Sequence, residues 1–424
     1  MPWHSPVSTR SRVADASGVT GPAPRLQGAA THTLPVDRWL LRRFLRAAGR
    51  PPVRCELPDR QAVYVGEGAP VGTLRFLDRG ALYRLLWEPE VGFGEGYTDG
   101  RIVVDGDLVE VLTAIYRQPL SPWVERLLFR TRPPRRNSLS GARHNIHRHY
   151  DLGNDFYRLW LDEQMLYTCA YYPTPEATLE EAQIAKMHHV CRKLDLRPGE
   201  RVVEAGCGWG SLALHMARHY GVRVRAFNIS GEQIAYGRAQ AARQGLADRV
   251  EFVEDDYRSI SGTYDAVMSV GMLEHVGPDH YGALGRIIDR CLPAHGRGLI
   301  HTIGRTRPMR LNPWIEKHIF PGGYPPTLKE MMAIFEPVRL SVVDVENLRL
   351  HYERTAAAWL QRFEQRVAEV QRRFDERFVR AWRLYLAGTT VAFRTSLLQL
   401  FQVVFARERH NGLPWTRAHV YAER

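Results

Sequence analysis

The amino-acid sequence predicts an α/β protein: a doubly wound sheet with helical insertions, preceded by a small mixed α/β domain. Three observations predict it. The chain has 424 residues, 44% apolar and 25% charged, which is ordinary for a globular protein but more than one core usually organises, so two folded units are expected. From about residue 146 short β-branched runs alternate with amphipathic segments, the pattern of strands linked by helical crossovers. The first of these runs, "ERVVEAG", passes directly into a glycine-rich turn that opens a helix.

The elements follow in order. Residues 1–33, rich in Ser, Ala, Gly, Pro and Thr, read as a mobile tail. Residues 34–120 form the small domain, with strand-like "QAVYV" and "RIVVDG" and the helix "DLVEVLTAIYRQ". A basic linker occupies 121–145: from Arg117 to Arg148 there are eight arginines and one acid, Glu125. Its "WVERLLFRTRPPRRNSLSGARHNIHRH" joins an apolar-basic helix, a Pro-Arg hinge and a Ser/Gly stretch, a domain boundary suited to lying on something anionic. The larger domain spans 146–424. Its strands are "ERVVEAG", "VRVRAFN", "RVEFVED", "YDAVMSV" and "GLIHTIG", with "WGSLALHMARHY" the clearest helix. A loop-rich insertion (305–327), a strand near "RLSVVDVE", a helical insertion at 353–395 and a last strand, "LFQVVFAR", complete it. Trp359, Phe363, Phe374, Phe378, Trp382 and Tyr385 fall at core positions of that insertion by helical spacing. No internal repeat is visible.

Charge narrows the partners. A net charge of +12 implies an anionic partner, nucleic acid or an anionic membrane surface. Only four of the 58 basic residues are lysines; guanidinium forks suit phosphate, but genome composition gives the same bias. The stretch "VDRWLLRRFLRAAGR" (36–50) sets Trp39, Leu40 and Phe44 beside Arg42, Arg43 and Arg46. That pattern fits an interfacial membrane helix and equally a solvated helix packed on its own domain. No RNA-binding motif accompanies the charge, so nucleic acid is not the expected partner. "MPWHSPVSTR" lacks an apolar core, and the longest apolar stretch is interrupted by Arg394, Gln399 and Gln402, so neither a leader nor a membrane span is expected and the location read is cytoplasmic. The five cysteines are widely spaced with no C-x-x-C pair, which suggests reduced thiols rather than a disulfide framework or zinc site. Cys169, alone among tyrosines in "QMLYTCAYY", is then either a nucleophile or a pocket wall. His144, His147 and His149 are crowded, but no further ligands accompany them, and no metal site is expected.

The glycine-rich turn carries the chemistry. Gly206, Gly208 and Gly210 let backbone approach a ligand, and Glu204 places a carboxylate beside it. A dinucleotide site wants the longer G-x-G-x-x-G turn and an acid at the end of the second strand. Here that strand ends in "FNISGEQ", with the neutral groups Asn228, Ser230 and Gln233 and no acid before Glu232. The pattern favours an adenosine ligand without phosphates. S-adenosylmethionine fits: its ribose wants hydrogen-bonding groups, its adenine amine an acid such as Asp256, and its sulfonium aromatic or carboxylate surroundings.

Several motifs in order, "HYDLGNDFYRLWLDEQMLYTCAYY", "VVEAGCGWGSLALHMARHYGVRV", "GMLEHVG", "HTIG" and "NPWIEKHIFPGGYPP", resemble the cyclopropane-fatty-acyl-phospholipid synthases and their mycolic acid methyltransferase relatives. The resemblance covers about 146–406 and extends forward to "GFGEGYTDGRIVVDGDLVEVL". It implies a class I methyltransferase fold, S-adenosylmethionine as donor and a lipid alkene as acceptor. Tyr150, Tyr167 and Thr168 fall where the family holds the methionine end and sulfonium, Gly206 and Gly208 on the cofactor turn, and Asp256 and Tyr257 on the adenine. Asn228, Ser230 and Gln233 take the ribose positions, with Asn228 departing from the usual threonine.

The resemblance further implies a bicarbonate pocket at Cys169, Glu274, His301, Ile303 and Tyr352. A cis double bond attacking a sulfonium methyl leaves a carbocation, so the walls must be apolar or aromatic and unreactive. A base must then take a proton from the new methyl for a ring to close. Bicarbonate, held by Glu274, His301, Tyr352 and backbone at Cys169 and Ile303, fills that role, and Cys169 becomes a neutral wall residue. His188 and His189 are expected on a helix of the cofactor lid, and His275 in a structural role. The expected activity is cyclopropanation of an unsaturated acyl chain in a membrane phospholipid, by a protein lying peripherally on the inner face of an anionic membrane. The alternative is a methylene- or methyl-branched product from the same carbocation. Lipid association and homodimer contacts are both open roles for the front domain.

Overall fold

In the computed structural model the described residues are 33–119, 121 and 152–422. The expected tail up to residue 32, Tyr150, the three clustered histidines and all of the basic linker except Ser121 lie outside them. The front domain runs α1 (Pro35–Ala47), β1 (Val53–Glu56), β2 (Ala62–Val63), β3 (Gly72–Phe76), α2 (Arg79–Trp87), α3 (Pro89–Thr98), β4 (Ile102–Asp105) and α4 (Leu108–Tyr116). Its sheet has the order β2-β1-β3-β4, with β1 and β3 parallel and the outer pairs antiparallel. Leu41 and Leu45 of α1 join Val53, Cys55, Leu74, Leu82 and Ile102 in its core. The first basic-amphipathic stretch therefore packs on its own domain. Its outer face keeps Trp39, 55% exposed, with the Arg43 guanidinium 5.5 Å from the ring centroid.

Helix α3, "PEVGFGEGYT", is helical against its glycine content because tertiary contact outweighs local propensity. A Cβ on Gly94 would stand 2.4 Å from the Trp314 ring. Only glycine lets the front domain press this closely on the larger one.

The larger domain begins with α5 (Asn154–Tyr157) and α6 (Leu179–Lys193). The alternation then follows as β5 (Arg201–Ala205), α7 (Ser211–Tyr220), β6 (Arg223–Asn228), α8 (Gly231–Arg243), β7 (Val250–Glu254), β8 (Ala266–Val270), α9 (Tyr281–Cys291) and β9 (Arg297–Gly304). After β9 come α10 (Pro313–His318), α11 (Leu328–Phe335), β10 (Leu340–Asn347), α12 (Arg349–Gln365), α13 (Val367–Gln371), α14 (Glu376–Arg394), β11 (Gln399–Arg407) and α15 (Ala418–Tyr421). The seven strands lie in the order β10-β11-β9-β8-β5-β6-β7. Strands β5 to β9 are parallel, while β11 runs antiparallel to both β9 and β10. The doubly wound expectation holds for the parallel part. The last strand, however, inserts between β9 and β10, which makes the sheet mixed.

Chain order reverses between β5 and β8, so the crevice beyond their carboxyl ends, at Gly206 and Gly271, is the topological switch point where ligands bind in open α/β sheets. Helices α12 and α14 pack together over this end. Their Trp359, Phe363, Phe378, Trp382 and Tyr385 share one core with Tyr157 and Trp160, as helical spacing predicts. Among the described residues no helix is long and apolar enough to cross a membrane.

Candidate active site

Two adjoining sets of residues occupy the switch point. The first surrounds the turn after β5. The amides of Gly206 and Cys207 both donate to the Phe227 carbonyl on β6 (2.9 and 3.0 Å), fixing the turn against its neighbour strand. Gly206 and Gly208 have φ of +82° and +54°, the left-handed region that favours glycine. A Cβ on Gly208 would meet nothing within 4 Å. The turn is thus open on the side where a ligand would lie.

Buried polar atoms face this turn without partners among the described residues: Glu204 Oε2, Gln233 Nε2 and the Tyr257 hydroxyl. Burial pushes the Glu204 carboxyl up to about 7, with the Lys186 ammonium pulling the other way. Orphaned groups at a glycine turn suit a polar ligand such as S-adenosylmethionine, because each would otherwise carry an uncompensated desolvation cost.

The ribose group behaves less simply than its residue types suggest. Asn228 Nδ2 donates to Gly208 O (3.1 Å) and to Gln233 Oε1 (2.7 Å). Its oxygen accepts from Ser230 N, and Ser230 in turn caps α8 by accepting from Gln233 N. Asn228 and Ser230 therefore shape the turn and orient Gln233, whose buried Nε2 has no partner among the described residues. The Asp256 carboxylate is likewise engaged, by Arg258 Nη1 at 3.1 and 3.0 Å.

Thr168 and Tyr167 bridge the two sets. The Tyr167 ring lies 5.2 Å from Trp160 and 5.3 Å from Trp359, centroid to centroid, and its hydroxyl meets that of Tyr385 at 2.5 Å. Lys186 Nζ donates to Thr168 Oγ1 at 2.8 Å. This lysine is fully buried, and burial lowers it to about 8. Sequence reasoning missed it, although the α6 stripe Leu179, Gln183, Lys186, Val190 sets it on the inward face.

The second set lines a cavity of about 2100 Å³ that includes Cys169, Glu274, His301, Ile303 and Tyr352. All five expected residues are brought together. Ile303 N–H donates to Glu274 Oε1 at 2.6 Å, while Oε2 is buried without a partner among the described residues. The Ile303 backbone, which the family pattern implied for bicarbonate, is thus bonded through its amide to Glu274. Burial pushes the Glu274 carboxyl to about 7, and the Ile303 amide opposes this. His301 Nδ1 pairs with Gln402 Nε2 (3.1 Å), its directly opposed neighbour on β11, and Nε2 is buried and unpartnered. Burial holds this imidazole neutral. A protonated carboxyl, the form favoured below about pH 7, and an imidazole Nε2–H are two donors, a set that fits a small oxyanion such as bicarbonate.

Cys169 is fully buried, its thiol directed at the Ala170 carbonyl (3.1 Å), and burial raises its pKa. Thr355 and His351 of α12, not foreseen from sequence, hold its segment by accepting from Ala170 N and Tyr172 N, each at 3.0 Å. Tyr352 stacks on Phe393 at 4.3 Å and stands edge-on to Trp359. His188 and His189 lie on α6 as expected, bonded to Tyr220 and Glu346. His275 is half-buried, and desolvation lowers its pKa to about 4.

Comparison with known proteins agrees with this geometry. A family model described as mycolic acid cyclopropane synthetase matches residues 137–403, and a domain of unknown function matches 40–123. The cyclopropane-fatty-acyl-phospholipid synthase of Escherichia coli K12 is 37% identical over 370 residues, covering 84% of this chain and 94% of that protein. A probable fatty acid methyltransferase of Pseudomonas putida is 33% identical over 388 residues, covering 87% and 96%. Among solved structures, mycolic acid cyclopropane synthase CmaA1 complexed with SAH and CTAB is 28% identical with a TM-score of 0.60, covering 62% of this chain and 98% of that one.

Proposed function

The chain belongs to the mycolic acid cyclopropane synthetase family of S-adenosylmethionine-dependent methyltransferases, and we propose that it cyclopropanates the cis double bond of an unsaturated acyl chain in a membrane phospholipid. One observation carries the reading: Glu274 Oε2 and His301 Nε2, both buried and unpartnered among the described residues, share an aromatic-walled cavity beside the glycine turn.

S-adenosylmethionine, when bound, supplies an electrophilic methyl group, and bicarbonate a small base. Gly206, Gly208, Gln233, Glu204 and Tyr257 would hold the former, Glu274 and His301 the latter. The protein's own contribution is then positional. The alkene π electrons form the new C–C bond as the C–S bond breaks, leaving positive charge on the chain. The faces of Tyr167 and Tyr352, both lining the cavity, stabilise that charge without being alkylated. Cys169, kept as a thiol by burial, does not compete as a nucleophile. Glu274 and His301 orient the base so that a proton leaves the new methyl and its C–H electrons close the ring.

The partner surface follows from the same cavity. Trp87, 82% exposed, lines it, and Trp39 beneath Arg43 lies on the outer face of α1. Amphipathic rings beside arginines suit peripheral docking on an anionic membrane. A second reading, methylation to a methylene- or methyl-branched chain, is supported by the relatives, which include the Pseudomonas enzyme and a tuberculostearic acid methyltransferase of Mycobacterium tuberculosis at 35% identity over 349 residues.

The test is mass spectrometry of acyl chains after incubation with monounsaturated anionic vesicles and donor carrying a trideuterated methyl. Gain of one carbon and two deuteria in a product that resists ozonolysis is expected for the ring. The same gain in a product that ozone cleaves (a methylene branch), or retention of all three deuteria (a methyl branch), would establish the branched reading, and no gain would overturn both.

A further inference from the structure

Directly after β9, two residues beyond Ile303, stands Arg305, only 4% exposed yet lining the same cavity as Glu274 and His301. Its backbone is fixed, the amide donating to Pro326 O at 2.8 Å. Its side chain is not matched. Nη1 donates to the Arg310 carbonyl, Nε is buried without a partner, and among the described residues no carboxylate lies within ion-pair distance. The carboxyl acting on it is that of Glu90 on α3, which accepts from Asn312 Nδ2 at 3.1 Å and is pushed up to about 7 by burial. Arg307 and Arg310 line the same wall. A guanidinium desolvated without a counter-ion is costly and is matched by a ligand that brings negative charge. The planar fork fits phosphate oxygens in a bidentate manner. The cavity, at about 2100 Å³, exceeds the roughly 300–1,000 Å³ of small-molecule sites and joins this wall to the aromatic pocket.

We propose that Arg305 is the recognition site for a phosphate group, namely the headgroup phosphate of the lipid whose acyl chain reaches Glu274 and His301. This rests on the lipid reading above and adds where the head of the substrate is held. Free phosphate shares the chemistry, so the test separates the two sources.

Full-length protein would be assayed at fixed ionic strength on monooleoyl phosphatidic acid and on monooleoylglycerol in neutral detergent micelles. Wild type is expected to favour the phosphate-bearing lipid by about tenfold in kcat/KM, the size of one charged hydrogen-bonded contact. Arg305→Gln is expected to abolish that preference while leaving S-adenosylmethionine affinity unchanged. Arg305→Lys, which keeps the charge without the fork and guards against a misfolded Gln variant, is expected to show a preference reduced several-fold. Equal turnover of both lipids by wild type, or full preference in either variant, overturns the assignment. Turnover of monooleoylglycerol that responds to inorganic phosphate in wild type but not in Arg305→Gln, without lipid preference, would make this a free-anion site and overturn the headgroup assignment. Turnover of neither lipid by wild type would instead refute the lipid-alkene reading itself.

Discussion

Ile303 and Glu274 are joined by a 2.6 Å hydrogen bond from the Ile303 amide to Oε1, which leaves Oε2 buried and unpartnered at the cavity wall. The end of β9 thereby aims the carboxyl of the turn after β8. If this acid orients the base, Glu274→Gln should lower kcat by about 100-fold, within the range of a positioned proton transfer. Calorimetric affinity for S-adenosylmethionine should change by less than about threefold. Equal loss of both would mean that Glu274 only supports the fold.

The same residue sets a pH dependence of stability. Its folded-state pKa is raised from 4.5 to about 7, so between those values the folded chain binds more protons than the unfolded one. Glu274 therefore costs stability progressively as pH rises from about 4.5 to about 7, and the cost levels off above, at on the order of 3 kcal/mol. Glu274→Gln does not titrate. Its melting temperature relative to wild type should rise across this window and flatten above it; a constant difference between pH 5 and 7 would show that the carboxyl is not perturbed.

Cys169 offers the opposite expectation. A fully buried thiol held neutral by desolvation and directed at a backbone carbonyl is a poor nucleophile. Cys169→Ser should retain at least about a third of wild-type kcat. A loss as deep as that of Glu274→Gln would point to covalent catalysis.

The parallel strands were legible because β-branched runs and amphipathic helices alternate with a strong local period, and the glycine turn because its backbone angles exclude other residues. What escaped was non-local. Nothing near Gln402 in the chain reveals that β11 sets it opposite His301. The engagement of Asn228 with Gly208, and of the Ile303 amide with Glu274, depends on contacts 20 and 29 residues apart. Strands β1 and β3 and the glycine-rich α3 were unassigned, since short strands and close-packed glycines are set by tertiary contact rather than propensity. Lys186 was within reach, lying on the buried stripe of a helix whose face the pattern defines.

Gly208 and Gly210 separate ligand binding from folding. Both have positive φ, but a Cβ on Gly210 would lie 2.3 Å from the Phe252 ring, whereas one on Gly208 would enter open space. Gly208→Ala should cost only about 1 kcal/mol of stability, the backbone strain, yet weaken S-adenosylmethionine binding at least about tenfold. Gly210→Ala should lower the melting temperature far more. Comparable melting losses with intact cofactor affinity in Gly208→Ala would place the ligand elsewhere.

Glu95 ties the front domain to the catalytic one. From α3 its carboxylate accepts Lys317 Nζ at 2.5 Å and His318 Nε2 at 2.9 Å on α10, and Arg377 Nη2 at 3.3 Å on α14. Burial alone would raise its pKa, but these partners bring it down to about 2. Its stabilising contribution is therefore present above pH 4.5 and is lost as pH falls towards 2. Glu95→Gln leaves two cations, Lys317 and Arg377, and the His318 imidazole facing a neutral amide. The cost should be about 2 kcal/mol, less than for a fully buried pair because Lys317 is 58% exposed. Since α10 and α14 line the cavity while the glycine turn lies beyond them, KM for lipid should rise with cofactor affinity unchanged. The melting difference between wild type and Glu95→Gln should shrink from pH 6 to pH 3, and a difference that persists at pH 3 would show that packing of α3, with Gly94 against Trp314, holds the domains together without this charge.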